Sequence, residues 1–130
     1  MSLFKDVKPS MSIEEVASKL VYFTEQSHLN HFRTSSYAEH KALDELYSYL
    51  QGFKDDVVEK LMGYTNRRLS AYPLLPLKND VNSTSLCEEI MSFSLSLEKW
   101  ASDNKFCDIE NMSQELSGTA AKTKYLLTLS

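Results

Sequence analysis

Glycine and proline are scarce, with three of each in 130 residues. A turn-rich all-β chain needs many more residues that accept a positive φ or fix a turn, so that class is excluded. Cysteine is equally sparse. Cys87 and Cys107 do not form a CxxC pair, and the expectation is free thiols in a reducing cytosol. No apolar run approaches the length of a membrane span, and MSLFKDVKPS lacks the apolar centre of a secretory signal. Positive charge is in deficit: 14 Lys and Arg against 18 Asp and Glu give a net charge of -4 and a pI near 5.3. General nucleic-acid binding is therefore not expected, although Asn66–Arg68 (NRR), Lys5 and Lys8 are local basic points. There is no glycine-rich phosphate loop and no signature of a serine or cysteine nucleophile. One cytoplasmic domain of ordinary globular composition is the reading, with 42% hydrophobic and 25% charged residues.

What the chain does have is helical periodicity. Four amphipathic helices are predicted, at about 12–32, 36–63, 85–102 and 108–128. Three begin at a capping box: Ser12 with Glu15, Ser36 with Glu39, Ser85 with Glu88. The apolar stripe of the first is Ile13, Val16, Ala17, Leu20, Val21 and Thr24, and the same spacing continues to His28 and His31. The second carries Leu43, Leu46, Tyr47, Leu50, Phe53, Val57, Leu61 and Met62. Gly63 is its expected stop, and Gly52 in its middle marks a close approach by a neighbour. The third has Leu86, Ile90, Phe93, Leu97 and Trp100; the fourth has Ile109, Met112, Leu116, Ala120, Thr123 and Leu127. A short link between the last two predicts an antiparallel pair.

The stretch from Tyr64 to Asn82, YTNRRLSAYPLLPLKNDVN, is long for a connection inside a compact domain. Extended at about 3.3 Å per residue it reaches about 60 Å, enough to run the length of the second helix. An all-α, ferritin-like four-helix bundle with one long crossover between helices 2 and 3 is the expected fold. The leucines of Tyr72–Leu77 either cover the end of the bundle or grip a partner.

The three histidines lie within thirteen residues, around the first inter-helix break. Asp44 follows His40 by four positions, Asp55 follows Asp44 by eleven, and Glu59 follows Asp55 by four. At about 100° per residue these four side chains share one arc of the second helix. Imidazole with carboxylates suits iron, with zinc or manganese as alternatives. His40 and Glu59 are about 28 Å apart along a helix, so they can meet at one ion only if a second copy runs antiparallel alongside. The bland readings stay open: a solvated charged face, and buried histidines satisfied by a tyrosine or carboxylate. The later helices contain glutamates but no histidine, which removes the Glu-x-x-His pairs of a di-iron site within one bundle.

His31-Phe32, followed by His40, Asp44, Asp55 and Glu59 at these intervals, resembles the ligand pattern of the Dps proteins, a ferritin-like family. The segments ALDELY and VVEKL are similar too, and the short Dps-like proteins of phage genomes are the nearest in length. The resemblance implies a ferroxidase-type metal site shared between two subunits. His31, His40 and Asp44 would come from one chain and Asp55 and Glu59 from its mate, with His28 a further ligand candidate. A homodimer or larger assembly follows. The lysine-rich tail of that family is nearly absent here, so DNA binding is not implied.

Two other classes compete. One is a non-enzymatic phage-type interaction or inhibitor protein that keeps the bundle and binds a host protein or a small molecule. The other is a ribonuclease, because Arg33 and His40 have the Arg-x(4–6)-His spacing of HEPN proteins, a spacing that recurs by chance.

Overall fold

The structure is a computed structural model, and it describes residues 11–129. Pro9, Lys5 and Lys8 lie outside the described residues. There are four α-helices and no strand among the described residues: α1 (Ile13–Arg33), α2 (Tyr37–Thr65), α3 (Ser83–Asn104) and α4 (Cys107–Leu127). None is long and apolar enough to cross a membrane.

The helix starts follow from local chemistry. Ser12 Oγ accepts the Glu15 N–H at 3.1 Å, and Ser36 Oγ accepts the Glu39 N–H at 3.2 Å. Each satisfies one of the orphan donors of a first turn. At the second start the reciprocal half of the box is absent. The Glu39 carboxylate instead accepts from Thr34 Oγ1 at 2.8 Å and from Ser83 Oγ at 2.7 Å, tying the α1–α2 turn to the start of α3. The third start differs from expectation. Asn82 Oδ1 caps the Ser85 N–H at 3.0 Å, so α3 begins at Ser83 rather than Ser85. Asparagine caps as well as serine does.

The expected stop at Gly63 is also corrected. The helix continues to Thr65 and ends at Asn66, which takes the left-handed conformation at φ 56°. Asparagine tolerates that region because its short amide bonds locally. α3 closes at Lys105, also left-handed, where Phe106 N–H reaches back to Ala101 C=O at 2.8 Å. This six-to-one bond turns the chain tightly into α4.

One apolar core runs through the bundle. Leu20, Leu43, Leu50, Leu61, Leu86, Ile90, Leu97, Ile109 and Leu116 are fully buried, with Trp100 packed edge-on against Phe106 at 5.3 Å. Phe23, not Val21, is the buried residue on that side of α1, and it meets Phe93 edge-to-face at 5.6 Å. The closest helix pairs are α1 with α2 and α3 with α4; α1 meets α3 far less.

The connection between α2 and α3 does not cover the end of the bundle. It lies along the flank of α1. The Arg67 guanidinium grips both carboxylate oxygens of Glu14, and Ser70 N–H donates to the same carboxylate at 2.9 Å. Ser18 Oγ donates to Pro73 C=O at 2.6 Å. The Gln26 amide both donates to Lys78 C=O (2.8 Å) and accepts its N–H (3.0 Å). Asn30 donates to Val81 C=O at 2.9 Å. Glu14, Ser18, Gln26 and Asn30 therefore form a polar ladder at multiples of four residues along one face of α1.

Gly52 is exposed, and a Cβ there would meet nothing within 4 Å. No neighbour among the described residues requires a glycine, contrary to the sequence expectation. Gly52→Ala should raise stability by about 0.5–1 kcal/mol, read as a higher urea midpoint with unchanged slope; a lower midpoint refutes the reading.

Arg67 holds the Glu14 carboxyl down to about 2 from an ordinary 4.5, with the Ser70 hydrogen bond acting in the same direction and burial opposing. Below pH 4.5 the unfolded chain therefore binds a proton that the folded chain does not. The stabilisation is complete above about pH 5.5 and is lost as the pH falls toward 2. It is worth on the order of 2 kcal/mol. Glu14→Gln should flatten the acid limb of the melting-temperature profile between pH 5 and 2.5. An unchanged limb places the acid sensitivity elsewhere.

Candidate functional site

The last turn of α1 leaves carbonyls with no helical partner. One of them, His31 C=O, accepts from His40 Nδ1 at 2.9 Å, and His40 C=O accepts from His31 Nδ1 at 2.8 Å. A carbonyl can only accept, so both Nδ1 atoms carry hydrogen. The two rings stack at 3.8 Å between centroids, 21° from parallel. Each ring is thus fixed in orientation. In its neutral form it keeps its lone pair on Nε2, which takes no hydrogen bond among the described residues.

Aromatic rings extend this pair on both sides. His28 stacks on Tyr47 at 4.1 Å and meets Phe32 at 4.4 Å, while Tyr37 lies 6.5 Å beyond His40 in a near-parallel plane. Such contacts contribute about 0.5–1.5 kcal/mol each beyond area burial. His31 is buried, His28 and His40 are half-buried, and Phe32 and Tyr37 are 69% and 76% exposed. The corner between α1 and α2 is therefore a rigid imidazole cluster framed by two solvent-facing aromatics. The reading of His31 as a core histidine satisfied by tyrosine or carboxylate is corrected, because its partner is a backbone carbonyl.

The carboxylates sit elsewhere. Asp44 is half-buried one turn after His40. Asp55 and Glu59 are exposed and line a shallow hollow with Lys54, Leu69 and Tyr72, toward the other end of α2. No group of three or more His, Cys, Asp or Glu side chains is close enough to hold a metal ion among the described residues. One chain thus unites His31 with His40 but separates them from Asp55 and Glu59. Arg33 is exposed, and His40 Nδ1 donates to the His31 carbonyl; no hydrogen bond joins Arg33 to His40 among the described residues. Cys87 and Cys107 are both free; Cys87 is buried, and burial pushes its thiol up to about 11. It is thus a poor nucleophile at neutral pH.

The ladder on α1 was missed from the sequence. Its signal was present as Glu14, Ser18, Gln26 and Asn30 at multiples of four, a polar line at helical spacing that a solvated face would share. The mutual bonding of the two histidines had no comparable signal, because it joins each ring to a backbone atom.

Comparison with known proteins revises the family expectation. A family model described as a family of unknown function (DUF5856) matches residues 31–127. The uncharacterized 14.6 kDa protein in the mobD-ri intergenic region of Enterobacteria phage T4 is 30% identical over 124 residues, 94% of this chain and 91% of that protein. No solved structure matches. The resemblance to Dps proteins is overturned by these matches. Its intervals of four, eleven and four are whole helical turns, which any α2 with one acidic face would display. With a family model over three-quarters of its length and a phage relative over nearly all of it, the chain belongs to the family of unknown function DUF5856.

Proposed function

We propose that the protein binds a divalent transition metal, with Nε2 of His31 and of His40 as the donors from one chain. The observation that supports this reading is the double Nδ1–H to carbonyl bond. Metal-binding imidazoles are typically held by such a bond from the far nitrogen, which fixes the tautomer and leaves the other nitrogen basic. The rings are stacked 21° from parallel, so they must splay for both in-plane lone pairs to meet one ion, and two nitrogens are in any case an incomplete set for a tetrahedral or octahedral ion. Asp44, four residues after His40 on α2, would be the third donor. A second copy with α2 antiparallel, crossing near the middle of the helix, would bring Glu59 opposite His40 and Asp55 opposite Asp44. The same crossing would set Lys54 against Glu45, an attractive pair. Iron, zinc or manganese would be the ion.

Zinc and ferrous iron titrated calorimetrically should bind the full chain, and excess metal at about a hundred times Kd should add about 2.7 kcal/mol of stability. His40→Gln should weaken binding at least tenfold. Asp55→Asn with Glu59→Gln, both on an exposed face, should leave metal-free melting unchanged and weaken binding only if a second copy completes the site. No heat of binding together with unchanged melting refutes metal binding.

A second reading rests on Phe32 and Tyr37. Large exposed aromatics beside a rigid cluster are the residues that anchor protein interfaces. In this reading the protein is a non-enzymatic interaction protein, and the corner docks a protein partner. Phe32→Ala with Tyr37→Ala should then abolish capture of that partner while the melting transition stays cooperative and falls only by the few degrees that the lost ring contacts are worth. Capture unaffected by the double substitution places the interface elsewhere.

A further inference from the structure

The weak packing between α1 and α3 leaves an open groove of about 520 Å³. Phe23 and Phe93 form its floor, Pro73 and Leu75 of the connection close one side, and Met11 stands at its edge. Its walls are fixed, because Ser18 Oγ holds the Pro73 carbonyl and the two phenyl rings interlock edge-to-face. Leu74 beside it is 75% exposed. Exposed apolar surface rimmed by polar residues marks a binding groove.

The charges around it are specific. Glu15 on α1 and Glu89 on α3 both line the groove, both are exposed, and neither forms an ion pair among the described residues. Lys19 lies over the Phe23 ring at 5.9 Å. An occupant must therefore bring apolar side chains for the floor and positive charge for the two carboxylates. A negative charge would suit Lys19.

The ten residues before Met11 read MSLFKDVKPS. They contain Leu3, Phe4 and Val7 for the floor, Lys5 and Lys8 for the carboxylates, and Asp6 for Lys19. Ten residues reach about 33 Å when extended, whereas the α1 wall from Met11 to Phe23 is about 18 Å long. The segment joins the chain at the groove's own edge, so no linker has to be spanned. A short tether gives an effective concentration in the millimolar range, enough for a weak contact to be occupied. We infer that this groove is the docking site of the chain's own residues 1–10, which shield it and which a partner segment of the same apolar and basic chemistry would have to displace.

A nitroxide attached to Ser2→Cys in the full chain, with Cys107→Ser to leave only the buried, unreactive Cys87, provides the test. The amide signals of Glu89, Ser92 and Ser96 should broaden severalfold more than those of Ser48 and Gln51 on the outer face of α2. Phe4→Glu with Lys8→Glu should remove that difference and raise binding of an apolar dye, while the melting transition of the bundle remains cooperative. Equal broadening at the groove and on α2 overturns the inference. So does broadening only when isotope-labelled chains are mixed with separate spin-labelled ones, which would make a second copy the occupant.

Discussion

An extended segment with no strand beside it has a backbone full of unpaired donors and acceptors, and this one is bonded by α1. The connection from Asn66 to Asn82 lies on the flank of α1 with most of its residues exposed, and the backbone groups it turns toward α1 need partners there. Ser18, Gln26 and Asn30 supply them from positions spaced by whole turns, and Glu14 anchors the near end through Arg67 and Ser70. α1 consequently has two committed faces. One is apolar and packs on α2; the other is polar and buried under the connection. The position of α3 depends on the same ladder. Its last rung, Asn30, also donates to Ser83 Oγ at 3.0 Å, and Ser83 passes the network on to Glu39 and Thr34. The start of α3 is thereby tied to the turn between α1 and α2.

That turn is where the histidines sit, and the tie explains why the corner is rigid. Thr34 and Ser36 shape the turn, while Glu39 binds it to α3. Within it, His31 and His40 satisfy one another's backbone. Two stacked imidazoles would otherwise be free to rotate; here each ring is held at the Nδ1 end by a carbonyl and along its face by the other ring. Preorganisation of this kind lowers the entropy lost when a ligand binds. Asp55 and Glu59 of α2 lie turns away on exposed surface, and no group of three or more ligating side chains gathers at the corner among the described residues.

Much of the bundle was legible in the sequence, since four apolar stripes of period 3.6 and two serine caps suffice to place four helices. The boundaries moved where two residue types could do one task. Asn82 capped α3 before Ser85 could, and Asn66 took the left-handed turn that Gly63 would have accepted. The candidate ligands were legible as residues but not as a site. His40, Asp44, Asp55 and Glu59 share an arc of α2, yet an arc specifies direction and not distance, and about 28 Å of helix separates its ends. The pairing of His31 with His40 depends on the depth and angle of the turn between them. No spacing rule encodes that.

The same polar ladder also explains why the bundle is open on one side. Helices normally close against each other through apolar ridges. α1 has given its second face to the connection, whose residues Pro73 and Leu75 stand where a closer α3 would have to pack. Proline brings no N–H, so that stretch needs fewer partners and can present carbon to the groove. The result is an apolar hollow floored by Phe23 and Phe93, with charged residues confined to its rim. A fold that places an irregular segment on its own flank gains hydrogen bonds there and forgoes helix packing beside it. In this chain both consequences meet along α1, with the histidine corner at one end and the groove toward the other.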